Sequence, residues 1–227
     1  MNNDTLLLKL KQRLNKLDSQ DYDNIECWQF VEAFNKVQLE WCRRNLHGGN
    51  MYKEGDDLQP LLIELSLTGT ITDTYFESNN FPVDTYLEYK RIGTDATSEC
   101  CTDPRSMTVY LSEVANVPLL LRDPLKNPDF DWGETFCTMQ NNTIRIYKNT
   151  NFNIVNPILT YYRKPVYVEV LGCTDPYTGV ISTVNIECEF KDDVAELMLD
   201  DTASLIAGDI ENIYQQQRGQ AAAERNN

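Results

Sequence analysis

A single histidine, His47, occurs in a chain of 227 residues, and no Ser or Cys stands beside it in a nucleophile motif. That scarcity argues against histidine-based acid–base or nucleophilic chemistry and against a histidine-rich metal centre. Phosphate loops of the GxxxxGK(S/T) or GxGxxG kind are missing, as are HExxH, a DxDxDG-type calcium loop and a GxSxG elbow. The usual signatures of nucleotide enzymes, zincins, EF-hands and α/β-hydrolases are therefore lacking. Apolar runs stay shorter than the roughly 18 residues a membrane helix needs. The opening MNNDTLLLKLKQRL has its apolar patch broken by lysines, unlike a signal peptide, so a cytosolic product is expected. Basic residues are also few: 20 Lys and Arg face 35 Asp and Glu, giving a net charge of −15 and a pI near 4.4. Such a surface repels a phosphate backbone and disfavours direct grasping of nucleic acid. The seven cysteines are scattered and form no CxxC pair. The expectation is that all seven are free thiols, most of them buried, with no zinc site. Internal repeats and low-complexity domains are absent, which excludes a solenoid or fibre.

What is present reads first as helix. Leu6, Leu7, Leu10, Leu14 and Leu17 recur at spacings of three and four, so Thr5 to Leu17 is an amphipathic helix. Asp18-Ser19-Gln20-Asp21 breaks it. Asp23 and Glu26 have capping-box spacing, with Tyr22 and Cys27 placed as a hydrophobic staple. A second helix follows to about residue 46, carrying Ile25, Trp28, Val31, Phe34, Val37 and Trp41, and its apolar arc is widened by Phe30, Ala33 and Leu39. Arg43 and Arg44 suit its C-terminal end, Gly48-Gly49 supplies a left-handed cap, and His47 falls in that cap region, a structural place for an imidazole. Trp28 and Trp41 suit either core packing or a subunit interface.

From Leu58 to about Phe190 the pattern turns to short extended pieces. LLIELSLTGTITDTYF and VDTYLEYKRI alternate in part and are rich in β-branched and aromatic residues. GTDATSECCTDP, with Cys100 and Cys101, reads as a loop. Ser112 stands before a short helix containing Pro118, which Asp123-Pro124 ends. ETFCTMQNNTIRIYKN is the clearest signal: two alternating runs joined by Asn141-Asn142, residues that tolerate the positive φ of a tight hairpin. PILTYYRKP is a further strand, and CTDPYTGV a polar turn before STVNIECEF. From Lys191 the chain returns to helix, with Asp193 and Glu196 at capping-box spacing and Val194, Leu197, Met198, Leu205, Ile206, Ile210 and Ile213 on one broad side. Gly208 kinks or ends it, and QQQRGQAAAERNN is too polar to bury. The acidic pairs Asp56-Asp57, Asp192-Asp193 and Asp200-Asp201 could hold a divalent ion, but read first as solvated acids. The fold class is α+β: helical 1–49, a β-rich middle 50–190, and a C-terminal helix and polar tail 191–227, packed as one structural unit.

The order FPVDTYLEYKRIG, LLLRDPLKNPDFDWGETFCTMQNNTIRIYKN, LTYYRKP and ELMLDDTASLIAGDIEN resembles the head-to-tail adaptor, or connector, ring proteins of tailed bacteriophages, most of all those of crAss-like phages. The likeness covers most of residues 5 to 214 and is carried chiefly by the RDPxxxPD segment, the NxIxIY strand and the YYRKP strand. It implies a non-enzymatic virion protein of the head–tail junction, assembled in the host cytoplasm. Such a protein forms a closed ring, commonly a dodecamer, between the portal protein and adjacent tail ring or hub proteins. DNA would pass through the channel without sequence-specific binding, and neither cofactor, metal nor membrane is implied. Within that picture the interface residues are Trp28, Trp41, Ile206, Ile210, Ile213, Tyr214 and Arg218, with the polar tail ordered by a partner. Composition alone leaves two other classes open: an acidic monomeric inhibitor or DNA mimic, and a carboxylate-based hydrolase.

Overall fold

The computed structural model describes residues 1–15, 25–47, 55–99 and 101–209. It is α+β, and the chain divides into two compact units, Met1–Pro60 with Pro165–Asn227, and Leu61–Lys164. The β-rich middle expected over 50–190 is thus narrower: its regular strands lie between Leu62 and Arg163, and residues 165–190 belong with the helices. Cys100, the staple and cap residues Tyr22, Asp23, Gly48 and Gly49, and the tail beyond residue 209 lie outside the described residues.

The second unit is one eight-stranded sheet. Its strands are β1 (Leu62–Ser66), β2 (Gly69–Ile71), β3 (Tyr75–Ser78), β4 (Tyr86–Ser98), β5 (Cys101–Leu111), β6 (Glu134–Gln140), β7 (Thr143–Tyr147) and β8 (Phe152–Arg163). The spatial order is β1-β8-β4-β5-β6-β7-β3-β2. Seven strand spacings of about 4.8 Å would put the edges of a flat sheet roughly 34 Å apart. Yet β1 and β2 are joined by Leu67-Thr68 alone, a connection that spans at most about 11 Å. The sheet must therefore curl until its two ends meet. Leu67 N–H still donates to Pro157 O of β8 (2.8 Å), whereas Thr68 O accepts from Asn79 N beyond β3 (2.8 Å). One segment thereby pairs with both ends of the sheet. Asn80 braces the corner, its amide donating to Ser66 O and accepting from Thr68 N, both at 2.9 Å.

The local devices match the sequence in part. Asn141 and Asn142 adopt φ of 50° and 58°, so the β6–β7 hairpin turns as expected. GTDATSECCTDP is not a loop, because β4 runs to Ser98 and pairs with Cys101 of β5. Its small and polar residues hid a hairpin whose partners face the curled sheet. Register shifts along β4 and a bend at Asn156, φ 50°, supply curvature. The interior is filled rather than hollow: Leu67, Phe76, Ile92, Met107, Ile144 and Leu159 are among its buried residues. Cys137 lies inside as well, where burial pushes its thiol up to about 12.

The first unit packs α1 (Asn3–Asn15), α2 (Cys27–Leu46) and α4 (Asp192–Asp209) with the 165–190 strap; α3 (Val117–Leu120) belongs to the sheet unit. Leu6, Leu10 and Leu14, spaced by four, are fully buried, as are Phe30, Phe34, Met198 and Leu199. The first turn of α2 is closed by Glu26, whose N–H donates to Gln29 Oε1 at 3.1 Å. His47 caps the other end, its N–H on Arg43 O at 2.9 Å. The Asp193–Glu196 capping box is not formed. Lys191 O receives the first helical bond, from Ala195 N, while Glu196 pairs with Lys9 and Arg13 of α1. Burial pushes the Glu196 carboxyl up, but the hydrogen bonds from Lys9 and Arg13 outweigh it and hold it below its ordinary value.

Residues 165–190 form no regular strand; their bridges are Glu169↔Ile186 and Thr174↔Ile181. Further backbone bonds run within the strap, among them Gly172 N to Ser182 O and Asp175 N to Val180 O, both at 2.9 Å, and helix side chains add others. Asn35 donates to Val168 O (3.1 Å) and accepts from Val168 N (2.7 Å), as a neighbouring strand would. Fully buried Gln38 donates to Val166 O at 3.3 Å, and Asn3 donates to Glu169 O and Ile186 O. Cys27 and Cys173 form a disulfide, Cα–Cα 5.8 Å, which overturns the expectation of seven free thiols. A separation of 146 residues gives no spacing signal, and only the fold brings the pair together.

Two outcomes test these assignments. Alanine at Gly69 would place its Cβ 1.9 Å from Glu77 O, so Gly69→Ala should cost about 1–3 kcal/mol in urea denaturation. Proteolytic mapping without reductant should recover the Cys27 peptide linked to the Cys173 peptide. Replacing both cysteines with alanine should lower stability by about 2–5 kcal/mol, given the long loop closed.

Candidate interaction surfaces

The disulfide draws the first turns of α2 against the turn formed by residues 169–182. Between them lies a cleft of about 630 Å³. Trp28, Val31, Val170, Pro176, Tyr177 and Val180 give it apolar walls. Trp28 keeps its polar edge occupied, Nε1 donating to Glu26 Oε2 at 2.5 Å. Glu32, Glu169 and Asp175 supply carboxylates, and no lysine or arginine lines the space. Asp175 accepts from Tyr177 N (2.8 Å) and from Thr178 Oγ1 (2.9 Å). Those bonds hold its carboxyl below the usual range, so it remains an anion. The same turn holds Tyr177 81% exposed, with Leu171, Val180 and Ile181 also open to solvent.

The sheet unit carries a second apolar face for a topological reason. β5 and β6 are parallel, so the chain must cross over between them, and residues 112–133 do so. The expected short helix is there as α3, with Pro118 in its first turn; Ser112 does not cap it. Asp123 Oδ1 accepts from Leu125 N (2.9 Å), and Asp129 Oδ1 from Asp131 N (2.7 Å) and Trp132 N (3.0 Å). These Asp-closed turns fix the backbone and push its apolar side chains outward. Leu125 is 82% exposed and Trp132 75%, with Leu119 and Leu121 beside them. Exposed Arg122 and Lys126 flank Leu125, and a smaller hollow of about 500 Å³ lies between Tyr110, Leu125, Lys126 and Trp132. Apolar groups exposed together in this way make the crossover a candidate contact surface.

The residues singled out by sequence are not gathered in one place. Trp28 lines the first cleft. Trp41 packs edge-on against Phe190, ring centroids 5.3 Å apart, within its own unit. Ile206 is 6% exposed, so it is core and not interface. Ile210, Ile213, Tyr214 and Arg218 lie outside the described residues. One acid of each of the first two pairs and both acids of the third are engaged and not simply solvated: Asp57 meets Lys191, Asp192 the terminal amine, Asp200 meets Arg13 and Asp201 Arg44. Burial nonetheless holds the Asp201 carboxyl above its ordinary value. Among the described residues no three His, Cys, Asp or Glu side chains come together as metal ligands, and no helix is long and apolar enough to cross a membrane.

Tyr177, Leu125 and Trp132 went unread in the sequence because helical or strand periodicity identifies buried faces, and these residues sit in turns. The available signal was large apolar side chains amid Asp, Pro and Gly, in TDPYTG and RDPLKNPDFDWG. No protein-family model matches the chain, and no curated protein matches it significantly. The two faces should be separable from stability by mutation: Leu125→Ala and Trp132→Ala should stay within about 0.5 kcal/mol of the parent in chemical denaturation, whereas Ile206→Ala should cost about 2–5 kcal/mol.

Proposed function

We propose that this chain is a ring-forming head-to-tail connector, a non-enzymatic virion structural protein that joins a portal to a tail and surrounds the DNA channel. The observation that carries the reading is the pair of unlike exposed apolar faces, one in each unit. A two-fold dimer uses the same patch twice, but a closed ring of identical copies needs two different patches per copy that fit each other. The sequence likeness to phage connector rings points the same way. A net charge of −15 also suits a wall past which a duplex must slide, because it offers few cationic anchors to phosphate. His47 works as a helix cap in this reading, and its imidazole has no chemical step to perform.

Sedimentation velocity and native mass spectrometry of the full chain, alone and with its portal, test the proposal. The expected result is one closed species larger than a dimer, commonly of twelve copies in the resembled family. Compact monomers at every concentration in both samples would overturn it and favour the acidic inhibitor or DNA mimic.

A further inference from the structure

The ends and the middle of the 165–190 strap are held differently. Asn35 and Gln38 of α2 bond Val168 and Val166, and Asn3 of α1 donates to Glu169 O, Asn185 Oδ1 and Ile186 O. Between these attachments the chain makes an excursion, 170–184, whose hydrogen bonds stay within it or at its foot. Gly172 N donates to Ser182 O, Ser182 N to Cys173 O, Asp175 N to Val180 O and Gly179 N to Asp175 O, at 2.8–2.9 Å, and Ser182 Oγ donates to Glu169 Oε2 at 3.0 Å. Among the described residues, none of its hydrogen bonds reaches a helix. Burial has the same pattern. Cys173, 7% exposed, is the single buried residue of 170–184, while Leu171, Tyr177, Val180 and Ile181 face solvent. What ties the excursion to a helix is the disulfide from Cys173 to Cys27, in the first turn of α2.

We infer that the Cys27–Cys173 bond is a redox-operated clamp: a dithiol reductant opens it in the folded protein and frees 170–184, and with it one wall of the cleft, while the helices stay packed. Cys27 is only half-buried, so its sulfur is the one a reductant thiolate reaches. Attack there forms a mixed disulfide, breaks the S–S bond and expels Cys173 as a thiolate. The second thiol of the reductant then displaces Cys27 and closes a cyclic disulfide, so two electrons pass to the protein and the two protons of the dithiol end on Cys27 and Cys173. A disulfide oxidant runs the exchange backwards. What stays in place afterwards follows from burial. Leu10, Leu14, Phe30, Phe34 and Met198 keep the helices together, and Asn35 keeps its two bonds to Val168, without using either cysteine. The freed excursion buries little apolar surface and has no hydrogen bond to a helix, which are the features of a segment that opens on its own. Trp28 and Val31 remain on α2 while Tyr177 and Val180 move away, so the cleft exists only in the oxidised protein. The clamp operates alike in a ring subunit and in a monomer.

Pulsed hydrogen exchange read by mass spectrometry, on the full chain before and after dithiothreitol under native conditions, tests the clamp. Alkylation should first show the Cys27 and Cys173 peptides converted to free thiols without denaturant. In a deuterium pulse of about ten seconds, label across 170–184 should then rise at least about twofold on reduction, whereas 30–46 of α2 and 192–207 of α4 stay unlabelled in both states. So short a pulse reads the folded state, and the lower global stability expected without the bond does not enter. Oxidised glutathione should restore the slow exchange, and Cys27→Ser combined with Cys173→Ser should label fast with or without reductant. A bond that resists dithiothreitol until the protein is denatured would overturn the clamp. Unchanged label in 170–184 after reduction would do the same. Label appearing throughout the helices, or a double-serine variant that does not fold, would make the bond a general staple of the unit and equally overturn it.

Discussion

Ser66 and Gly69 belong to the two outermost strands of an eight-stranded sheet, yet only two residues separate them. That short connection governs the sheet unit. It requires the strands to wrap around until the ends meet, and wrapping in turn requires bulges in β4, the left-handed Asn156 in β8 and a corner tight enough to admit only glycine at position 69. It also determines what lies inside. Alternate residues of strands all around the sheet point to one interior, so aromatic and aliphatic side chains far apart in sequence form a single core. The parallel β5–β6 pair follows from the same closure, and its crossover carries the exposed apolar face.

The helical unit meets the demand for backbone hydrogen bonds in another way. The 165–190 strap pairs part of its backbone internally, and Asn3, Asn35 and Gln38 reach from the helices to bond more of it. Asn35 offers donor and acceptor together, as a peptide group does, whereas Asn3 and Gln38 use only the donor side and leave Oδ1 and Oε1 without a partner. Truncating one would leave buried strap groups unsatisfied, a cost of about 1–3 kcal/mol for each. Together with the disulfide, these bonds hold a segment without regular structure firmly enough to form one wall of a cleft.

In both units, Asp residues shape the turns on which apolar side chains stand outward. Asp175 sets Tyr177 in place, and Asp123 and Asp129 do the same for Leu125 and Trp132. Part of the acidity that dominates the composition is thus spent on local backbone geometry and on ion pairs between helices, such as Glu196 with Lys9 and Arg13. Among the described residues, the cleft carboxylates Glu32, Glu169 and Asp175 have no cationic partner.

The amphipathic helices α1, α2 and α4, the Asn141-Asn142 hairpin and the α+β class were legible because each follows from local periodicity or turn chemistry within a few residues. The cap at Glu26 was misplaced at Asp23, and Glu196 was read as a cap residue. A cap and a cross-helix ion pair draw on the same side chains, and only the arrival of α1 settles which one forms. The β4–β5 turn went unseen because polar strands on a curled sheet lose their alternation. Pairing across long separations had no local signature at all: the Cys27–Cys173 bond, the seating of Asn35 on Val168 and the corner at Leu67-Thr68 exist because distant segments meet. By itself, then, the sequence determined which segments are helical or extended and where sharp turns fall, since those are contests between near neighbours. The tertiary structure alone decided which apolar residues stay uncovered, because exposure depends on what the rest of the chain brings to each side chain.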